Sequence, residues 1–499
     1  MRLLTRNNRI IVSILALFSF VFLGTEYYFD NCVAAMVSAK MAVISQNVVL
    51  GASVIGFVLY GFIDKWRTHK ERRFLVTGIG ALCVLCMLGM FSLDSYPLVL
   101  CLGILCFITM GFAGSAACYL CTQEINDRKY LARICGFSYA IGILLQFLNN
   151  TFVQGRVAQT TVLCLASIAF AALFLYSHRV TAGQQTSQEL SPAVSPAGSS
   201  VTTSVHRFAT TSSVTSIGFS AAASTGFPVT AGQLPIGWIL VGIVALMTCI
   251  FSTLDNAVTL VHASGDFDIG RWSTLILAAS GIAAGFLYDQ KDRKYMHVIM
   301  YAVTLLAAIT IVVLTLGEAF LPGLLMFYCS AGFFVVYFMT TFMDYSYQSS
   351  RPRLWAGIGR AVNNLVAVLF CVVSVSILHV SKMGLMLMDL ILLFLVSMAM
   401  LLLYMQSGKQ LYEVTQDCEI KTNILNEVER IAAFADQYHL TEREKEVLEV
   451  LIHSEDNVQS IAATLNISRA ALYRHLTSIN EKTATKSRMG IIKKFYTEE

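Results

Sequence analysis

Gly285-Phe286-Leu287-Tyr288-Asp289-Gln290-Lys291-Asp292-Arg293-Lys294 is the stretch on which the reading of the fold turns. It passes from the end of a long apolar run, through one acid, into a cluster of bases. A segment that can lie in hydrocarbon stops there, and side chains that need water begin. The same transition occurs at Tyr60-Gly61-Phe62-Ile63-Asp64-Lys65-Trp66-Arg67. Both acids follow an earlier Asp-Asn pair: 34 residues separate Asp30 of Asp30-Asn31 from Asp64, and 34 separate Asp255 of Asp255-Asn256 from Asp289. Arg128 to Gly136 and Arg351 to Gly359 share a spacing of eight, in the same order. The chain reads as two copies of one helical unit.

Composition agrees. Of 499 residues 56% are hydrophobic and only 13% charged, against about 25% charged in soluble globular chains. A hydrocarbon core about 30 Å thick takes about 20 apolar residues in helix. Such windows number twelve, six in 1–178 and six in 236–405. Arg2, Arg6 and Arg9 before Ile10–Leu23 imitate a signal peptide, but no Ala-x-Ala site follows, and the run is read as the first span. Bases crowd alternate loops: Lys65, Arg67, Lys70, Arg72 and Arg73; Arg128, Lys129 and Arg133; Lys291, Arg293 and Lys294; Arg351 and Arg353. The other loops hold few, with Lys40, Arg156, Arg271 and Lys382 as exceptions. The positive-inside rule then places both termini in the cytoplasm. Residues 179–235, dominated by Ser, Thr, Ala and Gly, read as a disordered cytoplasmic loop.

The thirteen Cys lie mostly in apolar runs. Cys83/Cys86 and Cys118/Cys121 have CxxC spacing, but no His or carboxylate interleaves with them, and they read as packing residues rather than a metal site. No P-loop, nucleophile elbow or zinc motif precedes the tail, so neither catalysis nor a cofactor is expected.

The Gly285–Lys294 run resembles the major facilitator loop motif GxLaDrxGrk, keeping the first Gly, the Leu, the Asp and the final Arg-Lys; Asp292 stands at the later Gly. Tyr60–Arg67 is a more degraded copy. The resemblance implies parallel six-helix repeats joined by a long loop. It also implies a conformational latch built from Asp64, Gly285, Asp289, Arg293 and Lys294.

After Tyr404 the texture becomes that of a soluble protein. Residues 406–437 read as a helical linker, with Leu411, Val414, Ile424, Val428, Ile431 and Ala435 at three- and four-residue steps. Residues 438–499 carry three short helices and a fourth. Thr441-Glu442-Arg443-Glu444 is a capping box, and Asn466-Ile467 turns into a helix capped by Ser468. Leu472, Leu476 and Ile479 face inward, while Arg469, Ala470, Tyr473, Arg474 and Ser478 face out. A capped, basic third helix is what a helix-turn-helix lays in the major groove.

This tail resembles the LuxR-type DNA-binding domain, on Leu440-Thr441, Arg443-Glu444, Glu446-Val447-Leu448, Ile461-Ala462, Leu465, Ile467-Ser468, His475-Leu476, Ile479, Lys482 and Arg488. The resemblance implies an interface of Ser468, Arg469, Ala470, Ala471, Tyr473, Arg474, His475, Lys482, Lys486 and Arg488 with double-stranded DNA. Paired half-sites are usual for such domains, so a homodimer on DNA is expected. Ala471-Leu472-Tyr473 replaces the family's common Thr-Val-Lys, so the preferred site does not carry over. The whole chain is similar to membrane-bound LuxR-family regulators, all-α proteins of the bacterial cell membrane that sense a small molecule. The second reading is an active facilitator with a regulatory or vestigial tail.

Polar groups inside spans are costly and mark candidate sites. Glu26, Asp30, Asn31, Asp255 and Asn256 are the expected ligand residues, with Tyr27 and Tyr28 beside them. Gln146, Asn149, Asn150, Asn363, Asn364 and Asp389 complete the intramembrane polar set.

Overall fold

The computed structural model describes residues 6–63, 69–125, 127–189, 236–265, 268, 272–316, 320–454 and 457–497. Asp64 and residues 190–235 of the expected loop lie outside them. The chain divides into two compact units, Met1–Gln406 and Ser407–Glu499.

Each apolar run forms one helix: α1 Arg6–Ala34, α2 Ala39–Phe62, α3 His69–Ser92, α4 Tyr96–Glu124, α5 Leu131–Phe152 and α6 Arg156–Glu189. The second set is α7 Ile236–Ala263, α8 Thr274–Tyr288, α9 Met296–Leu316, α10 Phe320–Ser346, α11 Pro352–Val380 and α12 Lys382–Gln437. Helix α6 runs on to Glu189, so residues 179–189 are helical rather than part of a disordered loop. Gln184, Gln185, Gln188 and Glu189 are good helix formers, and no Pro interrupts before Pro192.

Ten of the helices among the described residues are long and apolar enough to cross a membrane. The other two apolar helices, Phe74–Met90 and Thr274–Tyr288, are shorter. At 1.5 Å per residue, α8 spans only about 22 Å, less than a hydrocarbon core of about 30 Å. Leu85, Val157, Leu369, Leu390 and Phe394 point outward and are exposed. Such a belt is stable against lipid and not against water.

Small residues decide where the helices meet. Helix α5 runs against α8 at Gly136, Gly281 and Gly285, where a Cβ on Gly136 would strike the Gly281 carbonyl oxygen and one on Gly285 would stand 2.9 Å from the Ala132 carbonyl oxygen. In the other pairing across the halves, Gly51 and Gly61 of α2 lie against Val368 and Leu354 of α11. This is close packing through small residues, as expected of helices in lipid.

The second unit has its own core. Helices α13 Glu442–His453, α14 Val458–Thr464, α15 Arg469–Lys482 and α16 Arg488–Thr497 follow α12. Val447, Leu448, Leu451, Ile461, Leu472, Leu476, Ile479 and Ile491 are buried together, as their spacing predicts. Ile431 and Phe434, from the end of α12, and Phe495 join the same cluster. The tail's core therefore begins upstream of residue 438, in what reads from sequence as linker.

Gly136→Val is expected to disrupt the α5–α8 approach; overpacking of this kind costs about 1–3 kcal/mol. The thermal midpoint of the detergent-solubilised protein should fall well below that of Gly78→Val, since a Cβ at Gly78 meets nothing within 4 Å. Equal shifts for the two variants would contradict the close approach.

Candidate functional site

The loop after α8 reaches across the two halves. Asp289 accepts the Ala132 N–H (3.0 Å) and the Arg133 N–H (2.9 Å). These are orphan donors in the first turn of α5, so a carboxylate of the second half caps a helix of the first and meets the positive end of its dipole. Arg293 is buried beside it, 3.7 Å from Asp289. Its guanidinium donates to Asp344 at 3.0 and 3.3 Å and to the Arg128 carbonyl at 2.7 Å. Lys291, Asp292 and Arg293 all have positive φ (47°, 53° and 66°). Asp292 thus stands, with φ > 0, at the facilitator motif's second Gly; Asp tolerates this region better than most residues. Of the expected latch residues, Gly285, Asp289 and Arg293 come together, while Lys294 is exposed. Asp344 and the Arg128 carbonyl are not foreseeable from sequence, because they come from chain segments 51 and 165 residues away. At the first repeat's equivalent loop, the Ile63 carbonyl, just before Asp64, accepts from Arg353 of the second half.

A second set of polar groups lies inside the bundle. Phe22, Glu26 and Asp30 follow one another at one-turn steps along α1. Glu26 accepts from Gln46 at 2.9 Å. Asp30 is 6% exposed, and its Oδ1 has no hydrogen-bond partner. Asp255 on α7 lies within electrostatic reach of Glu26 and Asp30, and Arg360 on α11 within reach of Glu26. The Arg360 guanidinium stands 5.3 Å from the Phe22 ring centroid and 5.2 Å from that of Phe338. Asn256 is spent on structure: it accepts from Asn47 at 2.9 Å and donates to Ser374 at 2.7 Å, bracing α2, α7 and α11. Asn31 is exposed and apart from the buried set, because it follows Asp30 by one residue and so turns to another face of α1. Tyr27 donates to Asp268 at 3.0 Å. Arg360, Gln46 and Asn47 are not singled out by the sequence. Arg360 could have been found as a base inside an apolar span; it lies close enough to Arg351 and Arg353 to pass for part of their loop cluster.

An apolar cavity of about 60 Å³ lies elsewhere, among Phe18, Val21, Phe22, Ile79, Met110 and Phe170, with no charged residue in its lining. Cys83, Cys86, Cys118 and Cys121 are buried. Among the described residues no three His, Cys, Asp or Glu side chains are placed to hold a metal ion.

In the tail, Thr441 and Glu444 form the expected capping box. The Ala471 N–H donates to Ser468 Oγ at 3.2 Å, capping α15. Asn457 caps α14 through two N–H groups at 3.0 Å. Asn466 takes the left-handed turn between α14 and α15, with φ 55°. Arg469, Ala470, Tyr473 and Arg474 form an exposed stripe on α15; Ala471 and His475 are half-buried at its edge, and Lys486 is exposed beyond it. Two residues expected at the DNA, the exposed Lys482 and the half-buried Arg488, also bond within the domain. Lys482 donates to Glu444 at 2.6 Å and to the His439 carbonyl at 3.0 Å. Arg488 donates to the Ser454 carbonyl, tying α16 to the end of α13. Both bases thus have oxygen partners within the fold as well as exposed surface.

Burial works against a charged Glu444, but hydrogen bonds from Lys482, Ser478 and Thr441 outweigh it and hold its carboxyl at about 2, down from an ordinary 4.5.

Comparison with known proteins follows the same division. Residues 438–495 match the luxR family of bacterial regulatory proteins, the GerE domain. Among solved structures, the chain is similar to the human organic anion transporter MFSD10 (TETRAN), with 12% identity and a TM-score of 0.55, over 80% of this chain and 100% of that one. It is also similar to the major facilitator proton:xylose symporter XylE bound to 6-bromo-6-deoxy-D-glucose, with 13% identity and a TM-score of 0.52, over 79% and 94%. An auto-inhibited POT family peptide transporter gives 11% identity and a TM-score of 0.50, over 82% and 97%. At these identities the likeness is one of fold. No curated protein matches the chain. One polypeptide thus joins a major facilitator-like membrane bundle to a LuxR-type DNA-binding domain.

A carboxylate depressed in the folded state stabilises fully above its unfolded pKa and loses that contribution as pH falls toward its folded one. The tail should therefore weaken between about 4.5 and about 2. Glu444→Gln, which can still form the capping box, should flatten this dependence and weaken the tail at pH 7. Hydrogen exchange of the α13 and α15 amides, corrected for intrinsic rates, reports it; an unchanged pH profile in the variant would refute the assignment.

Proposed function

We propose that this chain is a membrane-embedded one-component transcriptional regulator. Its facilitator-like bundle senses a small molecule, and its LuxR-type domain binds double-stranded DNA as a homodimer. The bundle sits in a bacterial cell membrane with both termini in the cytoplasm, as the loop bases indicate. The observation that carries this reading is the α15 stripe: a capped helix presenting Arg469, Ala470, Tyr473 and Arg474 outward, on a chain whose other unit is a membrane bundle.

Ser468, Arg469 and Ala470 enter the groove at the N-terminal end of α15, where side chains meet base edges. Tyr473 offers a ring and a hydroxyl where the family commonly has Lys. Arg474 and Lys486 hold phosphates and fix register. Lys482 and Arg488 support the helix from behind through Glu444 and Ser454.

In the bundle, the Asp289–α5 cap and the Arg293 bond to the Arg128 carbonyl form a latch between halves, with Asp344 holding Arg293 in place. A ligand that favours the latched over the unlatched state shifts their populations only by its differential affinity. Helix α12 gives Leu385, Leu392, Val396 and Leu403 to the bundle core and Ile431 and Phe434 to the tail core, so it is the covalent route for that shift.

The second reading, an active facilitator with a regulatory tail, is favoured by the buried charged set around Glu26 and Arg360, which transport would also need. Solute uptake with unchanged transcription would select it.

Arg469→Ala/Arg474→Ala should abolish the chain's transcriptional response in its own host without lowering its level in the membrane. On duplex DNA the purified full-length variant should bind more weakly. Its log-affinity against log-salt slope should be shallower by about 0.9 for each phosphate that the variant no longer neutralises. An unchanged slope and response would remove α15 from the interface.

A further inference from the structure

The ionisable groups inside the bundle are unequal in number. Glu26 lies within electrostatic reach of Asp30, Asp255 and the guanidinium of Arg360, so three carboxyl groups share a region with one base, where unpaired charge is expensive. Among the described residues, no hydrogen bond or ion pair reaches the Arg360 guanidinium; its neighbours are the Phe22 and Phe338 rings. A planar group with five donors, held between two phenyl rings and short of an acceptor, is set to receive a carboxylate edge-on. On the acidic side, Asp30 is buried with an oxygen lacking any partner, and Glu26 has one oxygen on Gln46. Glu26, Asp255 and Arg360 also keep some accessible surface within the bundle, so they border space rather than packed atoms.

The spacing of these groups limits what can occupy that space. Among the described residues no three such ligands converge to hold a metal ion. A bare anion would meet surplus negative charge, and a simple amine would leave Arg360 without an acceptor. Phe22 and Glu26 are one turn apart, with Cβ atoms about 5–6 Å from each other. The guanidinium over the first and the carboxylate of the second therefore suit a cation and an anion separated by a few bonds. Phe251, one turn before Asp255, stacks on Phe334 at 4.3 Å and adds an apolar wall on the α7 side.

We infer that the buried site binds an amino-acid-like zwitterion, its ammonium held by Glu26 and Asp255, its carboxylate by Arg360, and its side chain against the aromatic walls. This deepens the sensor reading and rests on it only for the consequence of binding, not for binding itself. A facilitator would use the same site to carry such a molecule.

The test uses full-length protein in detergent and the twenty amino acids, each beside its decarboxylated amine and its deaminated acid (phenylalanine, phenethylamine and 3-phenylpropionate, for instance). Thermal midpoints are measured at millimolar ligand for wild type, Glu26→Gln, Arg360→Gln and Arg360→Lys. At least one zwitterion should raise the wild-type midpoint, with its amine and acid at least tenfold weaker. The shift should vanish in Glu26→Gln and Arg360→Gln and persist in part in Arg360→Lys. If a variant does not fold, the matched trio on wild type decides. The inference is overturned if no amino acid shifts the midpoint, if an amine or acid matches its zwitterion, or if Arg360→Gln responds like wild type. Zwitterion binding without any change in the host's transcripts would sustain the site and sink the sensor.

Discussion

Two backbone N–H groups at the start of α5, and the carboxylate of Asp289 that satisfies them, hold the logic of the bundle together. Helix starts carry donors with no partner inside the helix, and here the partner comes from the other half of the molecule. The cap forms only because α5 and α8 can touch, which Gly136, Gly281 and Gly285 permit. It holds only if the loop after α8 turns sharply, which Lys291 to Arg293 do in left-handed conformation, against a steric cost of about 1–2 kcal/mol per residue. Arg293 offsets that cost through Asp344 and the Arg128 carbonyl. Close packing, sharp turn and cap all converge on this one contact.

The same economy governs the interior. Most of the bundle is an apolar solid whose outward side chains suit lipid, and its polar groups are confined to a few positions. Some of these brace helices, as Asn47, Asn256 and Ser374 do by sharing hydrogen bonds across α2, α7 and α11. Others have nothing to brace: among the described residues, nothing pairs with Asp30 Oδ1 or with the Arg360 guanidinium beyond its aromatic neighbours. The tail follows the opposite rule. There Lys482 and Arg488 bond to oxygen atoms of the domain, whereas Arg469 and Arg474 on the α15 face are exposed.

Much of this is legible in the residues. Apolar runs of helical length, the 34-residue spacing from Asp30 to Asp64 and from Asp255 to Asp289, and the Gly285–Lys294 run disclose a duplicated helical bundle. Thr441, Glu444, Asn466 and Ser468 disclose the helix-turn-helix, because caps and turns are local chemistry. What stays hidden depends on partners remote in sequence. Arg293 reads as a latch base, but its partners, Asp344 and the Arg128 carbonyl, are remote in sequence. Lys482 reads as a phosphate-binding base until the Glu444 carboxylate is found 2.6 Å away. Ile431 and Phe434 read as linker because the core they enter is built from residues downstream. Asn31 and Asn256 occupy equivalent places in the two repeats, yet one is exposed and the other buried, since equivalent positions need not keep equivalent neighbours.

The decisive question is whether the state of the membrane bundle governs what the DNA-binding domain does. Genome-wide DNA occupancy of the full-length chain in its host, compared between wild type and Asp289→Asn at matched membrane levels, answers it. The substitution weakens the α5 cap and leaves the α15 face untouched. Control by the bundle predicts a few sharp sites in wild type and the same sites with altered occupancy or output in the variant. Identical occupancy and output in both would reduce the bundle to an anchor, and no sites in either would end the regulatory reading.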